Sequence, residues 1–134
     1  IRSWSAAILQ KGRVLACQGP YSACRHPLYA GSLLMVLGFC LLLGDPWTTL
    51  ILAAVLLITY PATVRNEERM ISSAFSADWP AYAAATPRLF PPRLPTGVGP
   101  VSLSQWIHNR EYQAIFASVV AVAGIQIWRM VASR

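Results

Sequence analysis

The sequence predicts an all-α, multi-span transmembrane protein built around a helical hairpin. Three observations carry that reading. Apolar residues make up 55% of the chain against 12% charged, too oily for a soluble domain of 134 residues. Between Arg25 and Arg65 the only full charge is Asp45, which leaves two nearly uncharged stretches, each about long enough to cross a hydrocarbon core with slight tilt or thinning. The point between them, Gly44-Asp45-Pro46, reads as a tight turn.

Taken in order, residues 1–15 place Ile1, Trp4, Ile8 and Leu15 among Arg2, Lys11 and Arg13, which suits the end of a helix near the membrane interface. Gly19-Pro20 breaks it, and the polar stretch from Tyr21 to Pro27 precedes the first oily run, with Pro27 well placed at a helix start. The spans are expected at 28–43 and 47–64, antiparallel because the turn is short. The turn lacks Lys and Arg while both open ends carry arginine, so the turn faces outward and both ends face the cytoplasm. Arg25-His26 and Arg65 to Glu68 then share one side.

Beyond Arg65 the helix is expected to leave the membrane through Met70, Ile71 and Phe75, with Trp79 and Tyr82 as interface anchors. Pro87 to Pro100 ends regular structure, so residues 1–100 form the core and 101–134 a C-terminal unit. The segment from Tyr112 to Val131, interrupted only by Gln126 and Arg129, is expected to be a last span. Its topology is awkward, since Arg129 and Arg134 would emerge on the outer side if Arg110 is cytoplasmic, and an interfacial or re-entrant helix competes with the span.

The net charge of +6 comes almost wholly from arginine clustered at 2–25 and 65–93. In so apolar a chain this points to anionic headgroups rather than nucleic acid. Cys17, Cys24 and Cys40 form no CxxC pair and are odd in number, so neither a disulfide framework nor a metal site is indicated, and they read as small packing residues. The first residue is Ile1 and the opening stretch already carries charge and motif, so part of an N-terminal region is expected to be absent; no removed signal peptide is visible. No Walker loop, GxGxxG, HExxH or GxSxG occurs. His108 reads as an interface residue.

Ionisable groups at a hairpin mouth are costly unless paired or hydrated, so Arg25, His26, Arg65, Glu67, Glu68 and Arg69 invite a functional reading. Singly, each arginine is more often a topological anchor. Their combination is specific: Gly19-Pro20-Tyr21, then Arg25-His26-Pro27-Leu28-Tyr29-Ala30-Gly31, then Arg65-x-Glu67-Glu68, then Phe75, Trp79 and Tyr82, then Pro87-Arg88. That ordered set, over residues 1–92, resembles the isoprenylcysteine carboxyl methyltransferases and their relatives among the phospholipid methyltransferases.

The resemblance implies S-adenosylmethionine as cofactor in a pocket at the cytoplasmic face, and a lipidic or prenylated acceptor arriving from the bilayer. It further implies His26, Tyr29, Tyr82 and Arg88 in cofactor binding, Gly19, Pro20 and Tyr21 in the pocket wall, and Glu68 bonded to the cofactor. Arg25, Glu67 and Glu68 are the candidate catalytic residues. The residue types suit that cofactor: Glu67 or Glu68 can accept from its ammonium or ribose, and Arg25 can pair with a carboxylate on cofactor or acceptor. Adjacent on a helix, the two acids point about 100° apart and need not share a role. His26 could instead cap the helix start, Tyr29 and Trp79 could be belt aromatics, and Arg88 could contact headgroups. A carboxylate acceptor needs no base, whereas an amine or thiol would give a glutamate or His26 that task. The non-enzymatic alternative is a membrane scaffold whose charged mouth binds lipid or a partner.

Overall fold

The computed structural model describes residues 1–9, 14–90 and 94–132. Among these the chain is all-helical: α1 (Arg2–Ile8), α2 (Pro20–Ala23), α3 (Pro27–Leu43), α4 (Pro46–Ala74), α5 (Trp79–Ala85), α6 (Leu103–His108) and α7 (Glu111–Ala132). The extended pairing among them is a single bridge between Gly19 and Thr96.

Local chemistry sets the ends of the hairpin. Pro27 opens α3, where a missing N–H costs nothing. Gly44 closes it in the left-handed region at φ 67°, its N–H bonding the Cys40 carbonyl at 3.0 Å. Asp45 then caps α4 by accepting from the Thr48 N–H at 2.6 Å, which accounts for the one full charge between two apolar runs.

At 29 residues α4 is about 43 Å long, more than a hydrocarbon core of about 30 Å, so its last turns extend past the apolar section. Pro61 lies inside it and can donate no N–H to the turn before. The Thr59 and Thr63 hydroxyls donate to the Val55 and Thr59 carbonyls at 2.7 and 2.9 Å on either side.

The two arms run antiparallel, with the Tyr29 and Tyr60 rings 5.2 Å apart edge to face near the open end. Between the arms a groove of about 640 Å³ remains, lined by Leu33, Leu37, Cys40, Ala53, Leu57 and Tyr60 among others. α4 and α7 are long and apolar enough to cross a membrane, and α3 is a shorter apolar helix. Leu50, Ile51, Leu57, Ile58, Phe116, Val119 and Trp128 all stand exposed on them. A water-soluble fold would cover that surface, so the chain is membrane-associated.

A small knot of α1, α2 and α6 packs at the open end. Gly31 lets α1 approach α3: a Cβ there would lie 2.8 Å from the Arg2 Cβ. The Arg2 Nε donates to the Glu111 carboxylate at 2.9 Å, and its Nη1 donates to the Ser32 hydroxyl, joining α1, α3 and α7. At the far end Arg129 donates to the Leu42 carbonyl. α7 therefore runs parallel to α3 and ends on the turn side, where Arg129 places a cation at the C-terminus of α3. The awkward arginine is thus a cap.

The structure corrects two expectations. The N-terminal helix stops at Ile8 rather than running toward Leu15, because the Asn109 amide takes the Ala6 and Leu9 carbonyls at 2.7 and 3.0 Å and ends it. Lys11, Arg13 and Arg134 lie outside the described residues. Cys24 and Cys40 are buried as packing residues, but Cys17 is exposed.

Candidate functional site

Chain segments distant in sequence meet at the open end of the hairpin. The Arg25 and His26 backbone N–H groups donate to the Pro87 and Arg88 carbonyls at 2.8 and 3.0 Å, pinning the stretch after α5 beside the stretch before α3. The lower turns of α4 bring Glu67 and Glu68 alongside.

Glu68 is the hub. Its Oε1 lies 2.9 Å from Arg25 Nη1 and 3.2 Å from His26 Nε2, and its Oε2 accepts from Arg88 Nη2 at 2.9 Å. Arg88 Nε lies 3.2 Å from both oxygens. Burial alone would raise the Glu68 pKa, but hydrogen bonds from Arg88 and His26 and the charges of Arg25 and Arg88 hold it below the ordinary glutamate value. All of its acceptor capacity is engaged by the protein's own groups.

His26 occupies the N-cap position of α3, yet its ring makes no capping bond. It is 4% exposed and lies between the two acids, Nδ1 standing 3.7 Å from Glu67 Oε2. Tyr29 packs its ring 5.7 Å from the imidazole.

On the other face of this cluster is a pocket of about 300 Å³ lined by Tyr21, Arg25, Glu67, Met70, Trp79 and Tyr82 with several aliphatic residues. The Arg25 guanidinium lies 5.8 Å from the centre of the Trp79 ring. The Tyr82 hydroxyl donates to the Tyr21 carbonyl at 2.8 Å, so that residue holds the wall while its ring faces inward. Burial, then the Glu67 charge, pushes the Tyr21 phenol well above its ordinary pKa; burial does the same to Tyr82. Both are neutral hydroxyls.

Tyr21 Oη, Arg25 Nε and Glu67 Oε2 are buried with no hydrogen-bond partner among the described residues. Orphaned buried polar atoms cost about 1–3 kcal/mol each, and this trio belongs to residues lining one pocket. The three offer a donor or acceptor hydroxyl, a cationic donor and an anionic acceptor, a set suited to a ligand bearing both charges.

Most residues read from the sequence gather here. Tyr21, Arg25, Glu67 and Tyr82 line the pocket, while His26 and Glu68 form the wall behind it. Gly19 plays a different part: at φ +57° a Cβ would lie 2.8 Å from both the Val98 carbonyl oxygen and Ile8 Cδ1, so it lets residues 96–99 cross over α1 and α2. Arg88 turns away from the pocket, onto a second cleft of about 240 Å³ with Arg65, Arg69 and Ser72.

Tyr60 and Met70 were not singled out as site residues. Tyr60 lies two helical turns before Glu67 on the same face of α4, a spacing that could have pointed to it. Among the described residues no group of three or more His, Cys, Asp or Glu side chains could hold a metal ion.

An all-helical, membrane-associated chain with its charge gathered beside one pocket at the end of apolar helices suits the class of membrane methyltransferases. The chain belongs to the phospholipid methyltransferase family, whose pattern matches residues 6–78 and so takes in Arg25, His26, Glu67 and Glu68 but stops before Tyr82 and Arg88. The family implies a methyl donor of the S-adenosylmethionine type.

Among curated proteins the chain is 36% identical, over 94% of its length, to a protein of Cupriavidus metallidurans named for cobalt-zinc-cadmium resistance. It is 35% identical, over 67% of its length, to a nickel-cobalt-cadmium resistance protein of Alcaligenes xylosoxydans xylosoxydans. The matched regions span 57% and 43% of those relatives. No solved structure matches.

Proposed function

We propose that the chain transfers the methyl group of S-adenosylmethionine to a lipidic or prenylated acceptor at the membrane–cytosol boundary, with a carboxylate as in isoprenylcysteine carboxyl methylation the acceptor its residues suit best. The observation that carries this is the trio of orphaned buried atoms, Tyr21 Oη, Arg25 Nε and Glu67 Oε2, on residues lining one pocket of a chain in this family. In this reading α3, α4 and α7 span the bilayer with the arginine-bearing end of the hairpin in the cytoplasm.

When bound, the cofactor supplies a methyl group already activated by its sulfonium. The chain's residues bind and orient. Glu67 Oε2 accepts from the cofactor's ammonium or ribose, and Tyr21 offers its hydroxyl. Arg25 has one edge held by Glu68 and its face on Trp79, leaving Nε to orient an acceptor carboxylate. His26 and Tyr29, which the family resemblance implies in cofactor binding, back Glu67, and Glu68 sets Arg25 and Arg88 in place.

A carboxylate acceptor is already ionised at neutral pH and needs no base. That agrees with a Glu68 saturated by cations and a Tyr21 that holds its proton. A phospholipid amine or a thiol would have to lose a proton, and Glu67, whose Oε2 has no hydrogen-bond partner among the described residues, would be the base.

The test is calorimetric titration of S-adenosylmethionine into the protein in nanodiscs. Saturable binding, weakened at least tenfold in Glu67→Gln and His26→Ala, is expected. A folded parent sample that does not bind sinks the proposal in favour of a non-catalytic scaffold. With labelled cofactor, methyl esters release their label in base while N-methyl products keep it, which separates the acceptor chemistries. The relatives' names suggest a setting for the reaction, tolerance of cobalt, zinc and cadmium, to be measured in a strain lacking the gene.

A further inference from the structure

The groove between α3 and α4 lies outside the pocket just described, and no residue lines both. Its walls are Leu, Val and Ala side chains with Cys40, Tyr60, Pro61 and Phe90, and among the described residues its polar lining is confined to Thr49, Arg65 and Arg88 besides the Tyr60 hydroxyl. On α3 the lining runs from Ala30 to Cys40, about 15 Å along the helix axis and so half of a hydrocarbon core of about 30 Å. That is the depth of one leaflet. A volume of about 640 Å³ is in the range of sites that enclose a small molecule.

At the open end Arg65 and Arg88 also line the neighbouring cleft of about 240 Å³, with Arg69, Ser72, Trp79 and Glu68. The acid there is already spent on Arg25, His26 and Arg88. Arg65 and Arg69 have no ion-pair partner among the described residues, and both are exposed. Positive charge without a counter-charge therefore stands at the mouth of a tail-sized apolar groove.

We propose that this groove and cleft form a binding site for one anionic phospholipid of the leaflet on the arginine side, its acyl chain between α3 and α4 and its phosphate against Arg65, Arg69 and the outer edge of Arg88. Two features set the chemistry. Guanidinium forks match phosphate oxygens, and the charge excess selects an anionic over a zwitterionic headgroup. The apolar groove requires a hydrocarbon chain continuous with that headgroup. The inference rests on the membrane placement proposed above and not on methyl transfer.

The test is native mass spectrometry of the protein released from neutral detergent, titrated with phosphatidylglycerol and, separately, phosphatidylcholine, with glycerol phosphate as the tail-less probe. Saturation at about one phosphatidylglycerol per chain is expected, with at least tenfold preference over phosphatidylcholine and over glycerol phosphate. Arg65→Gln/Arg69→Gln removes the headgroup preference, and Ala53→Trp, which fills the groove, removes retention of the lipid. Both variants keep parental S-adenosylmethionine affinity, so failure here is separable from failure of the proposed function. Lipid binding that is unsaturable or unchanged in both variants means general attraction to a basic face and overturns the site. Equal binding of glycerol phosphate overturns it in favour of a free-anion cleft, and a change of oligomeric state in Ala53→Trp with no change in lipid count assigns the groove to a second copy.

Discussion

Glu67 and Glu68 are adjacent acids of one helix with opposite situations. Glu68 is hydrogen-bonded to His26 and Arg88, ion-paired with Arg25 and held ionised by them, while Glu67, 3.7 Å from His26 Nδ1, keeps Oε2 without a hydrogen bond among the described residues beside the pocket. Replacing Glu68 by Gln leaves Arg25 and its neighbours without a counter-charge. The expected loss is about 2–3 kcal/mol of stability, read by thermal or chemical unfolding in detergent, with the half-exposed Arg88 contributing little of it. Glu67→Gln, by contrast, is expected to unfold like the parent and to lose cofactor affinity.

The pH dependence has a definite sign. The Glu68 pKa is lowered on folding from 4.5, so its contribution is fully present above that value and is lost as pH falls below it toward the folded pKa. Unfolding midpoints are expected to be flat in this respect between about pH 6 and 8. They fall below about pH 4.5, more steeply in the parent than in Glu68→Gln.

At the scale of elements, two glycines with similar backbones separate strain from crowding. Gly44 has φ 67° with nothing near a would-be Cβ, so Gly44→Ala is expected to cost about 1 kcal/mol from the left-handed conformation alone. Gly19 has φ 57°, and its Cβ would meet the Val98 backbone, so Gly19→Ala is expected to cost more than about 2 kcal/mol and to loosen residues 96–99, read as faster amide exchange there.

The same elements show what the sequence disclosed. Pro27, Gly44 and Pro46 punctuate α3 and α4 by local chemistry, so those boundaries were readable within a residue. The end of α1 was not, since it is set by Asn109, about a hundred positions away in the chain. Likewise the family motif pointed to both acids, but only the pairing of Arg25 and His26 with Pro87 and Arg88 decides which acid is surrounded by cations and which keeps an oxygen for the pocket. The lone Asp45 and the awkward Arg129 became intelligible as helix caps only with their carbonyl and N–H partners in place.

At the scale of the whole molecule, α7 is tied to the rest at its two ends, by Arg2–Glu111 and by Arg129 on Leu42. Glu111 is 3% exposed, so Arg2→Leu strands a buried carboxylate, with an expected cost of about 3 kcal/mol. Hydrogen exchange is expected to rise across the first turns of α7 and to stay unchanged at Glu67 and Glu68, because the acids are fixed through α3 and the Pro87-Arg88 stretch.

Pro61 gives the molecule a mechanical property. By removing one rung from the hydrogen-bond ladder of α4 it makes that point the softest along the helix, between the apolar section and the turns that carry the acids. With α4 across the bilayer as proposed, a membrane that thickens or thins is expected to tilt the section before Pro61 and to bend the helix there, while the turns after it stay clamped to Arg25, His26 and Arg88. Under the proposed function the chemistry is insulated from the elasticity of the membrane: transfer rates are expected to vary less than about twofold across lipids of about 27 to 33 Å hydrocarbon thickness, and Pro61→Ala, which stiffens α4, is expected to make the rate follow thickness.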